Sequence, residues 1–320
     1  MRCPMKHAVR VCLLFLSFLL PGANPASAAF PDRPVTIVVG FAAGGAGDII
    51  ARSVGLELEK ELGQPVVIVN KGGSGGALAI GDALTRPADG YTIVGTISAA
   101  LTLDTLTAKT RYSLADFSLL GMTGVYQEGF FCLADKPWKS MKELVAWAKR
   151  ENRALSYPSS VVFDKLITRY IGEKEGIEIR AVPVQGGAAI ISSVLGGHTD
   201  FGYGGGFQSS YVKAGKMRHL AGIGSQRSPY APDVPTLAEE GWPLLVFDNY
   251  FAFYASKKVP AEILTRLSEA LVRAGSQPSV QQALAGKAGV YPAVFNAAES
   301  TKILEESLVR YRNMLEEMKK

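Results

Sequence analysis

The sequence predicts an α/β fold of two lobes, each a mainly parallel sheet flanked by helices, joined by two crossing strands. Three observations carry this expectation. From Pro34 onward, apolar runs of strand length alternate with amphipathic helical periods, the β-loop-α rhythm of parallel strands with right-handed crossovers. About 290 of the 320 residues remain once an N-terminal export segment is set aside, and a chain of that size tends to divide into two lobes. No low-complexity linker separates the halves, so the segments near Gly124–Leu133 and Phe247–Ala255 are expected to run as strands between lobes.

Residues 1–28 read as a secretory signal. Arg2, Lys6 and Arg10 make a positive start, Val11–Leu20 an apolar core, and Pro21-Gly22 a break. Ala26-Ser27-Ala28 offers small residues for cleavage before Ala29. The core is too short to span a membrane. Neither Cys3 nor Cys12 follows it, so no lipoprotein anchor is expected. No later run has eighteen uninterrupted apolar residues, so the exported protein is expected to be soluble and not membrane-spanning. Beyond the signal, 31 basic residues face 29 acidic ones. That mild balance, without a basic stripe, gives no support to nucleic-acid binding. Cys132 is the one cysteine left, in the strand-like "GFFCLAD", so no internal disulfide is expected.

"VTIVVGF" (35–41) suits a strand buried on both faces. A helix follows with Ile50, Val54, Leu58 and Leu62 on one ridge, Asp48 at its start and Gly63 at its end. "VVIVN", a glycine loop, a helix to about Leu84 and the strand Tyr91–Ser98 continue the first lobe. The second opens with a capping box, Ser140-x-x-Glu143, before an apolar face of Leu144, Trp147 and Ala148. Strands are expected near "ALSYPS", "IRAVPV", "DFGYGGG" and "RHLAGIG", and helices at 163–171 and 188–195. "NYFAFYASKKV" reads as a strand returning to the first lobe, which two final helices should clad. The expected lobes are therefore 29–127 with 250–320, and 128–249.

Gly72-Gly73-Ser74-Gly75-Gly76 matches G-x-S-x-G, the nucleophile elbow, in a strand-to-helix setting. A triad would need a following histidine. Only His198, in a turn, and His219, inside a strand, are available. A helix N-cap in a glycine turn is the plainer role for Ser74. No H-E-x-x-H, cysteine pair or ligand spacing of aspartates supports a metal. "GFAAGGAGDII" lacks both the P-loop G-K-[ST] and the third dinucleotide glycine, so no cofactor is expected. What recurs is a physical device: "FAAGGAG", "NKGGSGG", "TISAA" and "VQGGAA" each follow a strand and precede a helix. Tiny side chains let an anion reach main-chain N–H groups backed by a helix dipole. Three or four charge-assisted bonds at ~1.5–3 kcal/mol each meet the roughly 8 kcal/mol of micromolar binding. Open α/β sheets bind ligands at such strand tips.

The run "FPDRPVTIVVGFAAGGAGDIIAR", "LGQPVVIVNKGGSGG", "RPADGYTIVGT", "VPVQGGAAIISSVLGGHTDF" and "RSPYAPDVPT" resembles the tripartite tricarboxylate transporter receptors, or Bug family, from about Phe30 to Met318. The resemblance implies a type II-like, Venus-flytrap periplasmic binding fold. It further implies a non-enzymatic receptor that closes on a small organic acid and delivers it to a two-component membrane permease. The exported receptor is expected in the periplasm as a monomer. In the first lobe, the family loop P-G-G-x-x-D falls on Ala43, Gly44, Gly45 and Asp48, with Ala43 in place of proline, and Phe41 and Ala46 flank it. A further loop lands on Thr96, Ser98 and Ala99. In the second lobe the implied ligand residues are Ser159, Ser160 and Val161, then Gln185 and Gly186, then Gly204 and Gly205.

Ser159-Ser160-Val161-Val162-Phe163-Asp164 lacks the glycines that the family has there, and Phe207 replaces a polar residue. These departures favour an acid with an apolar body; Asp164 or Asp248 meeting an amine is the alternative. Two other readings stand beside the receptor: a secreted hydrolase using Ser74, and an extracytoplasmic sensor for a membrane kinase.

Overall fold

A computed structural model describes residues 30–160 and 162–319. The expected signal at 1–28 and the candidate Val161 lie outside the described residues. In chain order the elements begin with β1 (Val35–Val39), α1 (Ala46–Leu62), β2 (Val66–Asn70), α2 (Ala77–Leu84), β3 (Thr92–Ile97), α3 (Leu103–Thr107) and β4 (Phe117–Val125). The middle of the chain forms β5 (Gly129–Leu133), α4 (Met141–Arg150), β6 (Leu155–Ser159), α5 (Val162–Glu175), β7 (Ile179–Pro183), α6 (Gly186–Leu195), β8 (Gly202–Gly204), α7 (Ser209–Lys213) and β9 (Met217–Gly222). After a long irregular segment come β10 (Tyr250–Ser256), α8 (Ala261–Gly275), α9 (Pro278–Ala283), β11 (Tyr291–Phe295) and α10 (Ala297–Glu317).

One sheet has six strands in the order β11-β4-β10-β3-β1-β2; the intervening chain forms a three-stranded sheet, β8-β5-β9, and the pair β6-β7. The sheets are mixed in direction, not mainly parallel. β1–β2, β1–β3 and β6–β7 are parallel, but β10 runs antiparallel to both β3 and β4, β11 to β4, and β5 to β8 and β9. The reason is the path of the chain. β1, β3 and β4 all end at the same edge, and β10 re-enters the sheet from that edge, so it must run the other way. Each strand hydrogen-bonds in one sheet only. The crossings are thus the three residues Tyr126–Glu128 and the segment 223–249, in place of continuous shared strands.

Local expectations from patterning hold closely in α1. Ile50, Val54, Leu58 and Leu62 are all buried, and Gly63 closes the helix in the left-handed conformation at φ 68. At α4 the Ser140 hydroxyl accepts from Glu143 N at 3.2 Å, but the Glu143 carboxylate reaches back to Lys139 N, so only half of the capping box forms. Cys132 is buried in β5, where burial pushes its thiol up to about 11, as for a packed core residue.

The last helix departs from expectation. α8 packs on the six-stranded sheet, with Leu267 and Leu271 in its core. α10 instead belongs to both cores. Leu304 packs with residues of the first sheet, whereas Tyr311 and Met314 pack with Phe130, Trp242 and Phe247 of the second. The sequence pattern marks α10 as amphipathic, and an amphipathic stripe does not say which of two cores it meets.

Candidate functional site

The first loop, between β1 and α1, is held from within. Asp48 is 4% exposed. Its carboxylate accepts from Gly44 N at 2.9 Å, Arg52 Nε at 3.0 Å and Asn70 Nδ2 at 2.9 Å. Asn70 also donates to Phe41 O at 3.1 Å. Burial alone would push the Asp48 carboxyl up, but the bonds from Arg52, Gly44 and Asn70 outweigh it and hold it below its ordinary value. Asp48 therefore positions the loop. Gly44 takes φ +81 where it meets Asp48, a conformation that favours glycine. The stability contributed by Asp48 is complete above the ordinary carboxylate value and is lost as pH falls through the lowered folded-state value. Asp48→Asn should accordingly melt earlier than wild type at pH 7, with the difference shrinking toward pH 3, read by thermal melts at both.

This loop presents the N-terminus of a 17-residue helix. Its N-cap, Gly45, makes no side-chain cap, and the first helical bond is Ile49 N to Gly45 O at 3.0 Å. The N–H groups of Ala46, Gly47 and Asp48 precede that bond, the anion-binding end of a helix. Ala43, Gly44 and Gly45 are exposed, and Ala46 and Phe41 are half-buried. The Phe41 ring lies over Gly47 and 6.4 Å from Phe251.

At the tip of β3, Thr96 is fully buried, and its hydroxyl has no hydrogen-bond partner among the described residues. It is wedged against Gly76, where a Cβ would fall 2.3 Å from Thr96 Oγ1 and φ is +103. Ser98 and Ala99 are committed to one residue that patterning overlooked. Ser98 Oγ donates to Asn249 Oδ1 at 3.0 Å and accepts from Tyr250 N at 3.0 Å, and Ala99 N donates to Asn249 Oδ1 at 3.2 Å.

At the tip of β6, Ser159 is buried and donates to Asp164 Oδ1 at 2.7 Å, while Ser160 is exposed. Gln185 is the exposed N-cap of α6 and makes no side-chain cap; Gly186 follows it in the left-handed region. Gln208, fully buried, braces the glycine turn by accepting from Gly206 N at 3.0 Å. Gly204 is buried, and Gly205 lies beside the Tyr126 ring and the Glu128 side chain. Gly206 backs onto Gly289, just before β11 of the six-stranded sheet, and Tyr230 Oη donates to Val290 O at 3.2 Å. Phe163 packs on Tyr203 and Phe247 at the junction.

Glu128 and Asn249 are the residues that sequence reasoning missed. Both sit on the crossings. Asn249 Nδ2 donates to Glu128 Oε1 at 3.3 Å, tying the two crossings together. The Glu128 carboxyl is enclosed, and Oε2 has no hydrogen-bond partner among the described residues. Burial pushes it up to about 7, against the pull of Asn249 and the neighbouring Tyr203. The available signal was one acid, after Tyr126 and Gln127, between the apolar ends of the stretch "GVYQEGFF".

Ser74 is not a helix cap. It is exposed, at φ 48, in a 3-10 turn over Ser74–Gly76, and α2 is capped by Gly76. Among the described residues no hydrogen bond joins Ser74 to a histidine, and burial pushes His219, in β9, below its ordinary value. No cluster of potential metal ligands occurs among the described residues, and no helix among them is long and apolar enough to cross a membrane.

A family model described as "Tripartite tricarboxylate transporter family receptor" matches residues 50–319. The "UPF0065 protein in gbd 5'region" of Cupriavidus necator is 30% identical over 301 residues, 92% of this chain and 91% of that protein. A solved structure described as "Structure of a periplasmic transporter" superposes with TM-score 0.76 at 28% identity, covering 90% of this chain and 98% of the other. The R. palustris protein Rpa4515 with adipate does so with TM-score 0.76 at 26% identity, covering 90% and 98%.

Proposed function

The chain belongs to the tripartite tricarboxylate transporter receptor family, whose members are solute-binding proteins and not enzymes, and from that premise we propose that it captures a small organic acid between its lobes and passes it to a two-component membrane permease. The reading assigns 29–127 and 250–320 to one lobe and 128–249 to the other, with a monomer working in the periplasm after cleavage near Ala28-Ala29.

The observation that carries it is the open N-terminus of α1: a glycine-capped helix of 17 residues whose entry loop is braced by Asp48. An acid group placed there meets main-chain donors and the positive end of the dipole. The second lobe supplies Gln185, Gly186, Ser160 and the Gly204–Gly205 turn. Capture of adipate by a relative of the same fold supports a carboxylate with an apolar body.

The test is a thermal-shift titration with adipate, citrate and benzoate. A ligand at a hundred times its Kd stabilises by about 2.7 kcal/mol, which raises the melting temperature of a domain this size by roughly 5–10 °C. Gly45→Leu should abolish the shift while leaving the unliganded melt near wild type. A Cβ at Gly45 meets only Ala42 O at 3.5 Å, and φ there is −79. An undiminished shift in that variant would remove the α1 loop from the site.

A further inference from the structure

A void of about 10 Å³ lies between the lobes, with Ala99 on one wall, Phe163, Phe247 and Tyr311 on the others, and Glu128 and Asn249 at its polar end. That is room for one water-sized group. Resting on the carboxylate-receptor reading, we infer that this void receives an ammonium group of the ligand against Glu128, so that the preferred substrates are amino acids in place of plain or hydroxylated acids.

Glu128 meets the void with one oxygen committed, Oε1 accepting from Asn249 Nδ2 at 3.3 Å, and one open. Among the described residues Glu128 Oε2 has no hydrogen-bond partner, nor do the nearby hydroxyls of Tyr203, which is 5% exposed, and Tyr126. The Tyr203 hydroxyl lies beside the Glu128 carboxyl without forming a good bond to it. A buried acceptor left open in this way is costly, and a ligand donor that fills it recovers that cost. An ammonium carries three donors and no acceptor, the complement of the open Glu128 oxygen at the void. The aromatic wall favours the same charge, because ring faces attract cations.

The surrounding carboxylates share the sign of Glu128. Asp164 from α5 adds to the field of Glu128 on Tyr203 and Asp248 from the second crossing to its field on Tyr311, while the Arg310 guanidinium of α10, which opposes them at Tyr311, is turned to Asp248 at 3.4 Å. Tyr126 on the first crossing and Tyr203 on β8 also face Glu128, and His219 of β9 and Tyr230 line a second cavity with it, His219 held below its ordinary value by burial. Burial holds the Glu128 carboxyl up to about 7, and a bound cation would return it to the ionised form. Affinity for an ammonium-bearing acid should therefore fall with acid, by up to about tenfold per pH unit below 7. An acid without the ammonium shows no such fall.

Calorimetric titration at pH 8 and pH 6 with two matched sets decides the matter: L-aspartate, L-malate and succinate, and L-phenylalanine, phenyllactate and 3-phenylpropanoate. In at least one set the ammonium member should bind tenfold or more tightly than its partners at pH 8 and lose that lead at pH 6. Glu128→Gln, which keeps an acceptor for Asn249, should erase the difference between members. Equal binding across both sets, preference for a hydroxy acid, or a preference that survives Glu128→Gln overturns the inference and leaves the carboxylate reading standing. Silence from all six overturns both. The wild-type comparison decides alone should the variant fail to fold.

Discussion

Gly76→Val should lower the melting temperature by roughly 5–15 °C. The substitution forces a β-branched residue into φ +103 and drives its Cβ to 2.3 Å from Thr96 Oγ1, on a buried residue with no room to retreat. Left-handed strain costs about 1–3 kcal/mol and overpacking a similar amount, and each kcal/mol moves a chain of this size by roughly 2–4 °C. Ser74→Ala, two residues away and exposed, should stay within about 0.5 kcal/mol of wild type. Wild type should also resist a serine-directed phosphonate. The pair of melts separates the two things that a G-x-S-x-G run can mean: here the glycines serve Thr96 and the serine serves no reaction.

Asn249→Leu should cost about 3 kcal/mol or more in urea denaturation and weaken at least tenfold the binding of whichever acid shifts the wild-type melt. Asn249 is 4% exposed and holds Ser98 Oγ, Ala99 N and Glu128 Oε1. Leucine removes the acceptor of Ala99 N and of the Ser98 hydroxyl, which keeps only its bond from Tyr250 N, and the donor to Glu128 Oε1, each loss costing about 1–3 kcal/mol before relaxation. The loop at the tip of β3 then loses its tether to the second crossing. Unchanged affinity with reduced stability would mean that this loop takes no part in holding the ligand.

The strand tips and the helix that follows β1 were legible because their signals are local. A ridge at every fourth residue, a closing Gly63 and a run of small residues each report on a few neighbours in sequence. Asn249 and Glu128 were not legible for the opposite reason. The bonds of Asn249 to Ser98 and Glu128 span 151 and 121 residues, and neither partner belongs to a recurring pattern. Strand direction in the first sheet failed similarly. Whether β10 pairs parallel or antiparallel with β3 depends on the edge from which the chain returns, which periodicity does not record. Asp48 shows an intermediate case. Its place at the start of α1 was readable, while its role as the brace of Gly44 needed the position of Asn70, 22 residues on.

The placement of α10 in both cores has a mechanical corollary. Leu304 rides with one sheet and Tyr311 with the other, so relative rotation of the two bodies must be absorbed within the two helical turns between them, a span of about 10 Å. The chain's end is thereby a lever attached to the far body. A fluorophore coupled near Lys319 would swing against one coupled near Lys302, at the near end of the same helix, turning domain rotation into an optical readout without touching the ligand pocket.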